Sequence, residues 1–370
     1  MTRARDFANL AGGITASDVS GLSARNLIIN GAMQVAQRGD VALATNHYGG
    51  PDRFKFVRTG NCHVTLSQDA LVPTGYGFNK SLKIDVTQTP QGVQASDTAQ
   101  VFQTIEAQNL DSAKKGTSSA EKLTLSFWVR SRNAGTYIAE LYDHVNSRHI
   151  NKAYTISTTN TWQRQVITFE GDTTGALVAG AAAGIQVGWW LLGGNDFQSG
   201  TLQTSWGAAT SANRAVGQTN AVNSTLNTFF LTGVQLEVGE QATAFEHEDY
   251  GTTLRKCQRY YFKLTVDTSA DSFCTGACDT STGVSANGTL SFPVTMRDSP
   301  TAIETSGTAG DYQIRSKGQN KGGGSVPTYL RATKDTAYIQ FAGASGLTHG
   351  AACTLRSANN NAFLAWSSEL

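Results

Sequence analysis

Apolar and polar residues alternate in short bursts along most of the chain. In the stretch 122–131, Leu123, Leu125, Phe127 and Val129 alternate with Thr124, Ser126, Trp128 and Arg130. A period of two places one set on each side of a strand. Leu82, Ile84 and Val86 alternate with Lys83, Asp85 and Thr87 in the same way. Leu27, Ile28 and Ile29 form a short apolar run, and 137–142, 165–169, 184–192 and 229–238 are further strand candidates. Turn-rich stretches at 171–175 and 193–200 separate some of them. Strand signals resume after Tyr260, at 261–266, 288–296, 311–316, 337–343 and 363–370.

One segment departs from this pattern. Asp249 stands where an N-cap belongs, ahead of a predicted short helix over 252–260. Residues 1–25 are too poor in large apolar side chains to make a core and are read as an extended arm. The Gly-rich stretch 316–326 is read as a flexible hairpin tip. The expectation is an all-β chain: a jelly-roll β-sandwich over 26–250 and a second, smaller β-sandwich over 251–370, joined by the short helix and preceded by the arm 1–25. A length of 370 residues fits two such units.

Composition narrows the function. Charged residues make up 15% of the chain, against roughly 25% in typical globular domains. Lys plus Arg is 29 and Asp plus Glu 28, so the basic excess of a nucleic-acid binder is missing. No apolar run approaches the 18 or more residues of a membrane helix. The opening 21 residues contain Arg3 and Arg5 but no apolar h-region, so no secretory signal is expected.

Five cysteines, Cys62, Cys257, Cys274, Cys278 and Cys353, do not form a dense disulfide framework. Cys274 and Cys278 with His349 and Cys353 have loose zinc-like spacing, but small core thiols or one late-forming disulfide is the preferred reading. Asp52, Asp85, Asp172 and Glu237 are conceivable calcium ligands without the spacing of a calcium loop. No metal and no cofactor is expected.

Several stretches together resemble a known family. RNLIINGAMQVAQRG (25–39) resembles the opening of a module common in bacteriophage tail-fibre and virion structural proteins, and LTGVQLEVGEQATAFEHEDYGTTLRKCQRYY (231–261) resembles its end. Between them, 125–131 and 161–169 look like strands of a jelly roll of the carbohydrate-binding-module type, and 292–301 and the terminus AWSSEL are similar to the C-terminal region that follows in such proteins. The resemblance implies a virion fibre, spike or receptor-binding protein, a homotrimer, assembled in the host cytoplasm and released by lysis. The resemblance covers about residues 25–370; attachment to other virion proteins through the arm 1–25, which carries no matching motif, is a separate expectation, with Arg3, Arg5, Phe7 and Leu10 as anchoring candidates. Binding of host-surface glycan follows as an expectation, without nucleic acid or membrane insertion.

Catalysis is not expected. The six histidines lie beside no nucleophile elbow. Glu140 and Asp143 occupy one predicted strand and its turn, where they point to opposite faces, although glycoside cleavage needs two carboxylates facing one cleft. Glu246, Glu248 and Asp249 gather at the helix start, where the dipole favours acids. Sugar binding needs only an aromatic ring and a few polar partners. Among six Trp, Trp206 lies in a loop-like stretch and is the candidate platform, with Asn195, Asp196 and Asn213 as companions. The alternatives are a purely structural decoration or connector protein of head or tail, and a glycan depolymerase.

Overall fold

The computed structural model describes residues 25–43, 46–279, 284–322, 324–343 and 345–370. It is all-β, and it divides into two units. The first contains 25–34, 40–49 and 54–248; the second contains 249–370 together with the short upstream segments 35–39 and 50–53. The anchoring candidates Arg3, Arg5, Phe7 and Leu10 lie outside the described residues.

The strands of the first unit are β1 (Val41–Leu43), β2 (His47–Tyr48), β3 (Lys55–Thr59), β4 (His63–Asp69), β5 (Ser81–Gln88), β6 (Thr98–Glu106), β7 (Leu123–Ser131), β8 (Gly135–Asp143), β9 (Arg148–Ile156), β10 (Gln163–Phe169), β11 (Ala183–Gly193), β12 (Gly207–Ala208) and β13 (Thr228–Val238). They form two antiparallel sheets, in the orders β1-β4-β5-β13-β7-β10 and β12-β9-β8-β11-β6-β3-β2. The sheets face each other across one apolar core, as in a jelly-roll β-sandwich. Phe127 of β7 meets Tyr154 of β9 and Trp189 of β11 edge-on, with ring centroids 5.2 and 5.5 Å apart. The alternation in β7 decides this placement: Leu123, Leu125, Phe127 and Val129 are buried in the core, and Trp128 turns to the outer side.

Trp189 and Trp190 split between faces as adjacent strand residues must, yet both are buried. The outer ring, Trp190, is covered by a small second core of Ile138, Ala215, Phe197 and Leu202. The chain after β11 folds back there through a one-turn helix, α1 (Asn195–Gln198).

The second unit opens with α2 (Tyr250–Gln258), whose N-cap is Asp249, with its side chain accepting from the Thr252 N–H at 2.9 Å. Its strands are β14 (Tyr261–Thr265), β15 (Ser272–Asp279), β16 (Ser285–Ser291), β17 (Glu304–Thr305), β18 (Tyr312–Ser316), β19 (Gln319–Gly322), β20 (Thr328–Ala332), β21 (Thr336–Ala342), β22 (Ala352–Ser357) and β23 (Phe363–Ser367). A seven-stranded sheet, β19-β18-β22-β15-β16-β21-β20, and a three-stranded sheet, β14-β23-β17, share one core around Trp366, Tyr312, Phe341 and Ile339. Within the stretch read as a hairpin tip or loop, residues 316–322 close the β18–β19 hairpin, where Lys317 and Gly318 take positive φ of 49° and 76°, as a two-residue turn of this hand requires.

The upstream segments differ from a continuous 26–250 module because they are bonded into the second unit. Gln37 donates to the Tyr261 carbonyl at 2.7 Å, and Arg38 and Arg53 both pair with Glu369. The guanidinium groups lie 3.5 and 3.4 Å above the rings of Tyr261 and Tyr260. Asp52 is buried there and accepts both the backbone and side-chain N–H groups of Gln37. Burial pushes its carboxyl up to about 6, against the pull of Gln37 and Arg38.

Candidate functional site

An open aromatic trough lies on the outer side of the six-stranded sheet of the first unit. Its floor depends on an irregularity in β13 between Thr232 and Gln235. Gly233 sits there at φ +59°, and a Cβ at this position would come within 2.6 Å of Phe78 Cζ and 3.1 Å of Trp128 Cδ1. Glycine therefore lets two rings rest on the strand backbone. Tyr76, in the chain between β4 and β5, is 54% exposed, and its ring centroid lies 4.3 Å from that of Trp128 at a 47° tilt. Phe78, Phe245 and His247 form a mutual cluster with centroid separations of 4.9 to 5.2 Å.

Arg164 of β10 is paired with Trp128 in the β7–β10 register and donates to the Thr243 carbonyl at 3.2 Å. The trough has a volume of about 410 Å³, and its lining includes Tyr76, Phe78, Trp128, Arg164, Thr243 and His247. No carboxylate lines it. This lining offers rings to apolar faces, and a guanidinium, an imidazole and a hydroxyl to polar groups.

The carboxylates singled out in the sequence are engaged elsewhere. Glu140 is buried and accepts Nε and Nη2 of Arg214 at 2.8 and 2.7 Å, with Asn151 at 3.1 Å. Burial also lowers the pKa of the neighbouring His149. Asp143 is held by Lys115 and Asn146. Glu246 accepts the Asn26 N–H at 2.9 Å, and Asp249 caps α2. Each conceivable calcium ligand already has a protein donor: Gln37 on Asp52, Lys83 on Asp85, Arg148 on Asp172 and Thr243 on Glu237.

The zinc-like spacing resolves into neighbouring thiols. Gly276 pairs with Cys353, which places Cys274, Cys278 and Cys353 on one face of the β15–β22 ladder. Burial and the adjacent Cys278 push the Cys353 thiol up to about 12, and burial pushes Cys274 to about 11. Among the described residues no group of three or more metal-ligating side chains is positioned to hold an ion.

Trp206 is not the open platform pictured from its loop-like surroundings. It is half-buried against the edge of the core, its indole N–H donates to the Glu170 carbonyl at 2.7 Å, and Lys115 Nζ lies 5.3 Å from its ring centre. Asn195 and Asp196 are exposed at the start of α1, and Asn213 accepts the Thr201 N–H at 3.0 Å, closing a loop beside them. These residues hold separate local contacts, and the aromatic convergence is instead at Tyr76 and Trp128. Its one sequence signal is Tyr76 itself, a ring between Gly75 and Gly77 in a polar connection.

No family model matches the chain, and no curated protein sequence matches it. Among solved structures it is similar to the enzymatically active domain of tailspike protein 4 of bacteriophage CBA120, with 14% identity and a TM-score of 0.34 over 58% of this chain and 21% of that one. The chain therefore spans about a fifth of the length of that tailspike. It is also similar to a family 11 carbohydrate-binding module of a Clostridium thermocellum cellulase, with 11% identity and a TM-score of 0.28 over 57% of this chain and 98% of that one. A xylan-binding domain from Paenibacillus barcinonensis gives 9% identity and a TM-score of 0.29 over 59% and 96%.

Proposed function

We propose that this chain is a non-catalytic virion fibre or spike protein whose jelly-roll unit holds host-surface glycan in the aromatic trough. The observation that carries this reading is the exposed ring of Tyr76 leaning on Trp128 in an open concavity with a guanidinium and no carboxylate on its walls. Pyranose rings bury their C–H faces on such side chains, while donors at the rim take the hydroxyls. The virion role rests on the resemblance at 25–39 and 231–261. Lack of turnover is supported by the ion-paired state of Glu140 and Asp143.

A homotrimer anchored by residues 1–25 would present three troughs to one surface, so that weak single-site contacts add through high effective concentration. Light scattering that gives a one-chain mass would remove this part of the reading. Failure of residues 1–25 to cross-link to other virion proteins in intact particles would remove the anchor.

Glycan-array binding of the full chain tests the central claim. Binding by the unaltered protein should fall about tenfold or more in Tyr76→Ala, corresponding to roughly 1.4 kcal/mol or more. It should persist in Tyr250→Ala, which removes a comparably exposed ring from α2. Equal binding by both variants, or none by the unaltered chain, would refute the trough as a glycan site.

A further inference from the structure

The second unit contains two guanidinium groups brought together without a counter-charge. Arg315 of β18 and Arg356 of β22 stand at diagonal positions of one ladder, since Gln313 is opposite Arg356 and Arg315 is opposite Thr354. Arg315 Nη1, at 3.2 Å, and Arg356 Nη2 both donate to Oδ1 of Asn320. Arg356 is only 8% exposed, and its Nε is buried without a hydrogen-bond partner. Among the described residues neither arginine forms an ion pair, and nor does Lys317. Burial and the nearby Arg315 charge together hold the Arg356 pKa below the ordinary arginine value.

Beside this pair is a cleft of about 530 Å³, lined among others by Thr275, Arg315, Ser316, Lys317 and Thr354. No acidic residue lines it. Arg315, Lys317 at the turn and the hydroxyls of Thr275 and Thr354 give the cleft a positive lining with no counter-charge, and the Arg356 charge adjoins it through Asn320.

We propose that this cleft binds a tetrahedral oxyanion, a phosphate or sulfate group, at Arg315 and Lys317, with Arg356 adjoining through the Asn320 it shares with Arg315. A carboxylate offers one negative charge and two oxygens. A phosphate offers close to two charges and three or more acceptors, matching the planar guanidinium fork, the ammonium and the hydroxyls that line the cleft. The group can arrive as a free ion or as an ester on a polymer. The site lies wholly in the second unit and does not depend on the trough.

Thermal unfolding and calorimetric titration of the full chain test this, in chloride buffer at fixed ionic strength. Sodium phosphate should raise the unfolding temperature and bind one per chain, whereas acetate should do neither. Arg315→Gln should abolish the phosphate response, and because Arg315 is exposed the variant should fold. In phosphate-free buffer it should melt above the unaltered chain, since one of two unneutralised like charges is gone. Equal responses to phosphate and acetate, a phosphate response surviving in Arg315→Gln, or no gain in melting temperature from that substitution would each overturn the assignment. Dextran sulfate with neutral dextran as control separates the sources: tighter binding than inorganic phosphate assigns an ester-bearing polymer, and weaker binding assigns the free ion.

Discussion

Arg148 grips Asp172 through two parallel hydrogen bonds, Nε to Oδ2 at 2.8 Å and Nη2 to Oδ1 at 2.9 Å. Lys115 Nζ approaches the same carboxylate at 3.0 Å and also reaches Asp143, so two cations and two anions close a quartet at the edge of the first unit's core. Burial raises the Asp172 pKa, but the hydrogen bonds from Arg148 and Lys115 outweigh it and the net shift is downward.

Removing one member should therefore be costly. Asp172→Asn leaves Lys115 and Arg148 sharing only Asp143, and breaking a buried pair in this way costs about 3–5 kcal/mol. Urea unfolding at pH 7 should report a loss of this order. A loss below about 1 kcal/mol would show that the quartet is solvated and energetically idle.

The pH dependence should carry two opposite contributions. A carboxyl depressed on folding, as Asp172 is, adds stability above its unfolded pKa near 3.8, and that stability is lost as pH falls through the folded value. Asp52 is raised from 3.8 to about 6, so the folded state binds the extra proton and stability declines as pH rises from about 4 to about 6. Asp52→Asn should flatten that decline and stabilise the protein at pH 7 by about 2–3 kcal/mol, the equivalent of the shift. An unchanged slope between pH 4 and 6 would show that Asp52 stays ionised in the fold.

The sulfhydryls should be silent in the folded protein. Cys274 and Cys353 have thiols pushed to about 11 and about 12, so little thiolate exists at pH 8. Cys62, Cys257 and Cys278 are buried. A colorimetric disulfide reagent should label the native chain slowly, and all five thiols rapidly in urea. Fast native labelling of two or more would contradict this burial.

Strands and the side facing the core were legible in the sequence wherever a period of two ran unbroken, as in β7, because alternation is a local property of the chain. What covers the outer side was not. Trp190 is buried because residues beyond position 194 fold back over it, and no pattern within β11 signals that cover. Trp206 looked exposed because its neighbours are small and polar, yet its ring packs on a core built from distant strands. The trough joins the β4–β5 connection, β7, β10 and residues 242–247, which come together only through the sheet order. Segments 35–39 and 50–53 likewise gave no sign of joining the second unit, since their partners Tyr260, Tyr261 and Glu369 lie more than 200 residues onward.

Gly233 is the position where fold and proposed site meet most directly. At φ +59° a residue with a Cβ incurs about 1–2 kcal/mol of backbone strain, and here the added atom would also press into Phe78 and Trp128. Phe78 leans on Phe245 and His247, so it cannot withdraw without disturbing the wall of the trough. Gly233→Ala should lower stability by about 2 kcal/mol or more and alter the near-ultraviolet circular dichroism of the Tyr76–Trp128 pair. Gly217→Ala, also at positive φ but with open space around the added atom, should show backbone strain alone and leave the aromatic signal intact. If both variants lose the same stability and neither changes that signal, the rings do not rest on the β13 backbone, and the trough owes its shape to something other than that glycine.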